Sequence, residues 1–64
     1  MKTYNLNAKQ KFNLATPSQL RLLKTFTNVT INIFDNRFLN YCSKDKASEI
    51  IEDAKKGIDI TINS

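Results

Sequence analysis

Few side chains in this 64-residue sequence could carry acid–base or covalent chemistry, and histidine is not among them. General acid–base work near neutral pH most often uses an imidazole, and a nucleophile needs an activating base beside it. Cys42 is the single thiol. A cysteine without an activating neighbour usually behaves as a small buried hydrophobe, so Cys42 reads as a core residue rather than a nucleophile. Glu49, Glu52 and Asp53 recur at helical spacing next to Lys55 and Lys56, the pattern of a solvated helix face. With no histidine and no second cysteine to join them, they do not read as a metal site. The residue types point away from an enzyme, with no catalytic residue, no metal and no cofactor expected.

Charge is the more informative property. The formal net charge is +4, and it is unevenly placed. Lys2, Lys9, Lys11, Arg21 and Lys24 precede Phe34 with no acid among them, whereas Arg37, Lys44, Lys46, Lys55 and Lys56 are offset by Asp35, Asp45, Glu49, Glu52, Asp53 and Asp59. A field of this kind draws anionic partners, and it also keeps a basic protein in solution. Lys9, Lys11, Phe12, Leu14, Thr16, Ser18, Arg21 and Lys24 form the candidate partner-binding set. Each has a plainer reading beside it. Phe12 could cover the core next to the first helix, and Thr16 could simply cap that helix. The helix start at Thr16-Pro17-Ser18, with Lys9, Lys11 and Arg21 near it, could instead receive an anion. Ser43 reads as a second cap.

The elements that position these residues follow from periodicity. With 41% hydrophobic residues, one glycine and one proline, residues 1–64 make one small domain. A lone cysteine forms no internal disulfide, and no apolar run is long enough for a signal-peptide core or a membrane span, so a cytoplasmic protein without membrane contact is expected. Lys2 to Ala8 alternates as a strand. Thr16, Pro17 and Gln19 write a capping box, after which Leu20, Leu22, Leu23 and Phe26 share one helix face and Arg21, Lys24 and Thr25 the other. Val29 to Phe34 alternates again, Asp35-Asn36 marks a turn, and Phe38 to Cys42 completes a hairpin. A three-residue loop pairs Ile33 with Leu39 and Ile31 with Tyr41, which keeps Asn40 out of the core and puts Phe34 and Phe38 on the outer face. Ser43 opens a second helix with Ala47, Ile50, Ile51 and Ala54 at i, i+3, i+4 and i+7, Gly57 ends it, and Ile58, Ile60 and Ile62 alternate in a last strand. No internal repeat is evident.

The order β-α-β-β-α-β packs as an α+β, two-layer open-faced sandwich: a four-stranded antiparallel sheet with both helices on one face. Asn13-Leu14-Ala15-Thr16-Pro17 resembles the motif that ends at the first helix cap of the histidine-containing phosphocarrier (HPr) family of the bacterial sugar phosphotransferase system. Ile31-Asn32-Ile33, Leu39-Asn40-Tyr41-Cys42-Ser43 and Gly57-Ile58-Asp59-Ile60-Thr61-Ile62 resemble later segments of it. The resemblance implies an HPr-like fold and a docking surface at the first helix and its preceding loop. It also implies loss of phosphoryl transfer, because Leu14 stands at the phosphoaccepting histidine and Thr16 at the supporting arginine. Ser43 matches the family's regulatory serine but is followed by Lys44-Asp45-Lys46 rather than apolar residues. The family's third helix has no counterpart before Ser64, so burial of the uncovered region by a second copy, a homodimer, or by another partner is expected. The resulting expectation is a non-catalytic, regulatory or protein-binding domain with an acidic partner. The alternative is a small nucleic-acid-binding protein of ferredoxin-like topology, in which basic residues flank exposed aromatics.

Overall fold

The computed structural model describes the backbone of all 64 residues and every side chain except that of Asp35. Along the chain it forms β1 (Lys2–Asn5), α1 (Pro17–Thr25), β2 (Val29–Ile31), α2 (Asp35–Tyr41), α3 (Lys44–Lys55) and β3 (Ile60–Asn63). The three strands make one sheet in the order β1-β3-β2, and both pairings are parallel. The expected four-stranded antiparallel, HPr-like sheet is therefore wrong, and so is the ferredoxin-like alternative, which requires four strands.

The error lies in residues 35–42. They form helix α2 where a returning strand was expected, so the hairpin and its register fall away. Phe38, Tyr41 and Cys42 stand at i, i+3 and i+4, a spacing that a short segment satisfies as easily as alternation. The segment also lacks any β-branched residue, which favours the helix. Replacing one strand by a helix changes the parity of the sheet, so the last strand runs parallel to the first instead of against it. Phe38, expected on the outer face, is 0% exposed, while Phe34 at the helix start is 76% exposed.

Other boundaries follow from local chemistry. Thr16 caps α1: its hydroxyl accepts the Gln19 amide hydrogen at 3.1 Å, while the Thr16 amide donates to Gln19 Oε1 at 3.0 Å, completing the reciprocal box. Ser43 Oγ accepts from the Lys46 amide at 3.1 Å and starts α3. Gly57, just beyond α3, has φ of 84°, a conformation in which a side chain would be strained. The first strand ends at Asn5 rather than Ala8, and the last begins at Ile60 rather than Ile58.

All helices lie on one side of the sheet. Leu20 and Leu23 of α1, Phe38 and Cys42 around α2, and Ala47, Ile50, Ile51 and Ala54 of α3 pack with Tyr4, Ile60 and Ile62 of the strands into one core. The first crossover goes from edge to edge and the second returns to the centre. With both on one face they have opposite hands, so one departs from the usual right-handed connection.

The other sheet face is polar and open. Each strand carries the same triplet: Thr3-Tyr4-Asn5, Thr30-Ile31-Asn32 and Thr61-Ile62-Asn63. The register aligns Thr3 with Thr61 with Thr30, and Asn5 with Asn63. Asn32 completes the second row, its Nδ2 donating to Asn63 Oδ1 at 2.9 Å and its amide to the Ile62 carbonyl at 2.8 Å. Thr-x-Asn thus recurs along β1 and β3 and at the end of β2, and the register gathers it into two rows. Parallel sheets are usually covered on both faces; this one substitutes a Thr and Asn surface for a second helix layer.

Asn28 joins α3 to the sheet. Its Nδ2 donates to the Ala54 carbonyl at 3.2 Å and the Ile58 carbonyl at 2.7 Å, while its own carbonyl accepts from the Ile60 amide at 2.8 Å. Asn28→Ala should cost about 1–3 kcal/mol by leaving two partly buried acceptors without their donor. Urea denaturation of the two proteins measures this, and an unchanged midpoint would show that the bridge carries no stability.

Candidate docking surface on the first loop and helix

The long connection between β1 and α1 is polar, yet it is fastened along its length. The Leu6 amide donates to the Asn63 carbonyl at 2.7 Å and the Gln10 amide to the Asn40 carbonyl at 2.8 Å. Ala15 donates to Cys42 and Lys44 to Asn13, each at 2.8 Å, and Leu14 pairs with Ser43 in an isolated antiparallel bridge. Asn13 takes the left-handed conformation, with φ of 54°, a region asparagine tolerates better than most residues. Leu6 and Ala15 are buried as anchors at either end.

This bracing leaves Phe12 75% exposed, directly after the exposed Lys9 and Lys11. It does not cover the core. Leu14 lies just before the helix and is 36% exposed. On α1, Leu20 and Leu23 face inward, while Ser18, Arg21 and Lys24 are exposed. Leu22 is exposed beside Arg21 and adds apolar area that periodicity had assigned to the core. The sequence-derived set is thus displayed along one continuous stretch of loop and helix.

Thr16 and Ser43 are half-buried, and their hydroxyls are engaged as caps. The two helix starts are tied together, since Gln19 Nε2 donates to the Lys44 carbonyl at 3.2 Å and to Ser48 Oγ at 3.3 Å. These contacts make α1 and its loop a fixed platform. A separate cavity of about 210 Å³ lies between the end of β1 and the start of α3, with Asn5, Asn7, Tyr41 and Lys46 in its lining. No sequence pattern marks it, because its walls come from distant segments.

The remaining reactive side chains are committed elsewhere. Cys42 is fully buried, and burial pushes its thiol up to about 11, so it is not a thiolate at neutral pH. Glu49 pairs with Lys46 at 3.1 Å on the surface. Asp53, nearly buried, accepts from Lys2 Nζ at 2.6 Å and from the Tyr4 hydroxyl. These two hydrogen bonds hold its carboxyl below the ordinary 3.8, against the opposing effect of desolvation. Lys2 is correspondingly raised above 10.5, chiefly by its bond to Asp53. Lys2 and Lys46 both lie over the Tyr4 ring, at 5.1 and 5.6 Å from its centre. The cluster ties β1 to α3, and of its members Lys46 also lines the cavity beside the start of α3. Among the described residues, no three histidine, cysteine or acidic side chains come together as a metal site, and no helix is long and apolar enough to cross a membrane.

No protein-family profile matches the chain, and no curated protein or solved structure matches it at a significant level.

Proposed function

We propose that this chain is a non-catalytic binding module that docks onto an acidic face of a protein partner through its first loop and the outward side of α1. The exposure of Phe12 supports this most directly. An aromatic ring displayed next to two lysines, on a loop fastened at both ends, loses little conformational freedom on contact. Aromatic and arginine side chains are the usual anchors of interfaces, and surrounding positive charge speeds encounter with an acidic surface.

Affinity capture from the native cell with the immobilised chain should yield a partner whose binding weakens about 30-fold with Phe12→Ala, as expected for an anchor of about 2 kcal/mol. Lys11→Glu with Arg21→Glu should slow association and reduce its salt dependence. Neither change should lower the melting temperature. Wild-type affinity in both variants would remove this surface from consideration.

The same Lys-x-Lys-Phe arrangement also suits a base of single-stranded nucleic acid stacked on Phe12 with its phosphates near Lys9 and Lys11. Titration of a labelled mixed-sequence oligonucleotide at two salt concentrations separates the classes. Salt-dependent binding that is lost with Phe12→Ala would assign the surface to nucleic acid.

A further inference from the structure

The two free edges of the sheet are complementary. In a parallel ladder the backbone groups of alternate residues point to opposite sides. β1 turns Lys2 and Tyr4 toward β3, as the Lys2 amide bond to the Asp59 carbonyl shows, which leaves Thr3 and Asn5 directed outward. β2 bonds to β3 through Asn28, Thr30 and Asn32, which leaves Val29 and Ile31 directed outward. Within the sheet, the side of a strand carrying its apolar-position backbone groups always meets the Thr and Asn side of the next. The free edge of β2 presents the former and the free edge of β1 the latter.

We infer that β2 receives β1 of a second copy of this chain, parallel and head to tail, with Thr30 opposite Thr3 and Asn32 opposite Asn5 of the second copy. The Ile31 amide donates to the Thr3 carbonyl of that copy and its Asn5 amide donates to the Ile31 carbonyl, repeating the pattern already made twice in the sheet. The Asn row continues across the junction through the same amide contact that joins Asn32 to Asn63. Asn28 to Phe34 contains no charged residue and no proline, so the β2 edge lacks the devices that normally block strand addition. A cavity of about 380 Å³, lined by Ile31, Asn32, Ile33 and Phe34, opens at the C-terminal end of this strand. On the β1 edge the charge of Lys2 is already paired with Asp53. The contact is heterologous, so it leaves a free edge at each end and does not stop at a dimer.

A single short strand buries less than the roughly 1,200 Å² of a stable interface, so association is weak and driven by concentration. Sedimentation of the wild-type chain up to about 1 mM should show mass rising without a plateau at two copies. Thr3→Pro and Ile31→Pro remove outward amides that the monomer does not use, and each variant alone should remain monomeric. Mixed in equal amounts they should form a 1:1 pair and nothing larger, because one intact edge of each type remains. In the wild type, hydrogen exchange at the Ile31 and Asn5 amides should slow by at least about tenfold between dilute and concentrated samples, a readout that requires no variant. A monomer throughout with unchanged exchange, a plateau at a dimer, or self-pairing of either variant alone would overturn the inference.

Discussion

Phe38→Ala should remove a large share of the protein's stability, about 3–5 kcal/mol, whereas Phe34→Ala, one helical turn earlier, should change it by no more than about 0.5 kcal/mol. Truncating a fully buried phenylalanine costs about 3–5 kcal/mol, from lost transfer energy and from the cavity left behind. A domain of this size has roughly 3–10 kcal/mol in total at the usual stability per residue. Phe38 is completely enclosed and joins Leu23, Ile50 and Ile62 among the largest buried side chains, while Phe34 faces solvent with the Arg37 guanidinium 5.9 Å from its ring. An antiparallel hairpin would put both rings outside and make the two substitutions equally mild. Urea melts followed by circular dichroism therefore distinguish a helix from a strand at residues 35–41 without any structure determination. Equal midpoints for the two variants would refute the three-helix arrangement.

Acid should be a second strong lever, acting through Asp53. Its carboxyl is held below the ordinary 3.8 first by Lys2 and then by the Tyr4 hydroxyl, so the native state binds fewer protons than the unfolded chain in that range. The resulting stabilisation is present in full above the ordinary value and is lost as pH falls through the native one. Lys2 works in the opposite sense. Raised above 10.5, it contributes fully below that pH and loses its contribution as pH rises through its native value. Tyr4, raised above 10.0 by burial and by its bond to Asp53, adds to the alkaline loss. Urea midpoints should thus stay level through the neutral range and fall as pH drops through and below the ordinary carboxylate value, with Asp53→Asn removing this site's share of the acid limb. Lys2→Met, which spares the Tyr4 bond, should move the acid limb toward the ordinary carboxylate value. Parallel pH profiles for wild type and Asp53→Asn would show that the cluster does not form in solution.

The helices that the sequence marked clearly are those with chemical punctuation. Thr16, Pro17 and Gln19 fix the start of α1, Ser43 that of α3, and Gly57 closes the latter, because each satisfies or relieves a backbone group within a few residues of itself. The segment from Asp35 to Tyr41 carries no side-chain cap and only two turns of pattern, so its helical state depends on the core that receives Phe38 and Cys42. That information is tertiary. The Thr-x-Asn triplets were present in plain letters, yet a three-residue motif gains meaning only when three strands bring it into one row. At the candidate docking surface, the one-sided charge identified the lysines and Arg21. The exposure of Phe12 depended on backbone bonds from Asn40, Cys42 and Lys44, and nothing near Phe12 in the sequence encodes them.

β1 and β2 never touch; each pairs only with β3. The central strand, residues 60–63, follows both of the others in sequence, so the first two strands stay single until it joins them. No partial sheet exists that could form early and wait. Helices α1 and α3 can begin to gather beforehand, but the sheet closes in one step and late, over most of the chain's length. A protein organised in this way has no two-stranded fragment to fall back on, so any event that frees residues 60–63 opens the whole sheet at once and uncovers the uncharged stretch from Asn28 to Phe34.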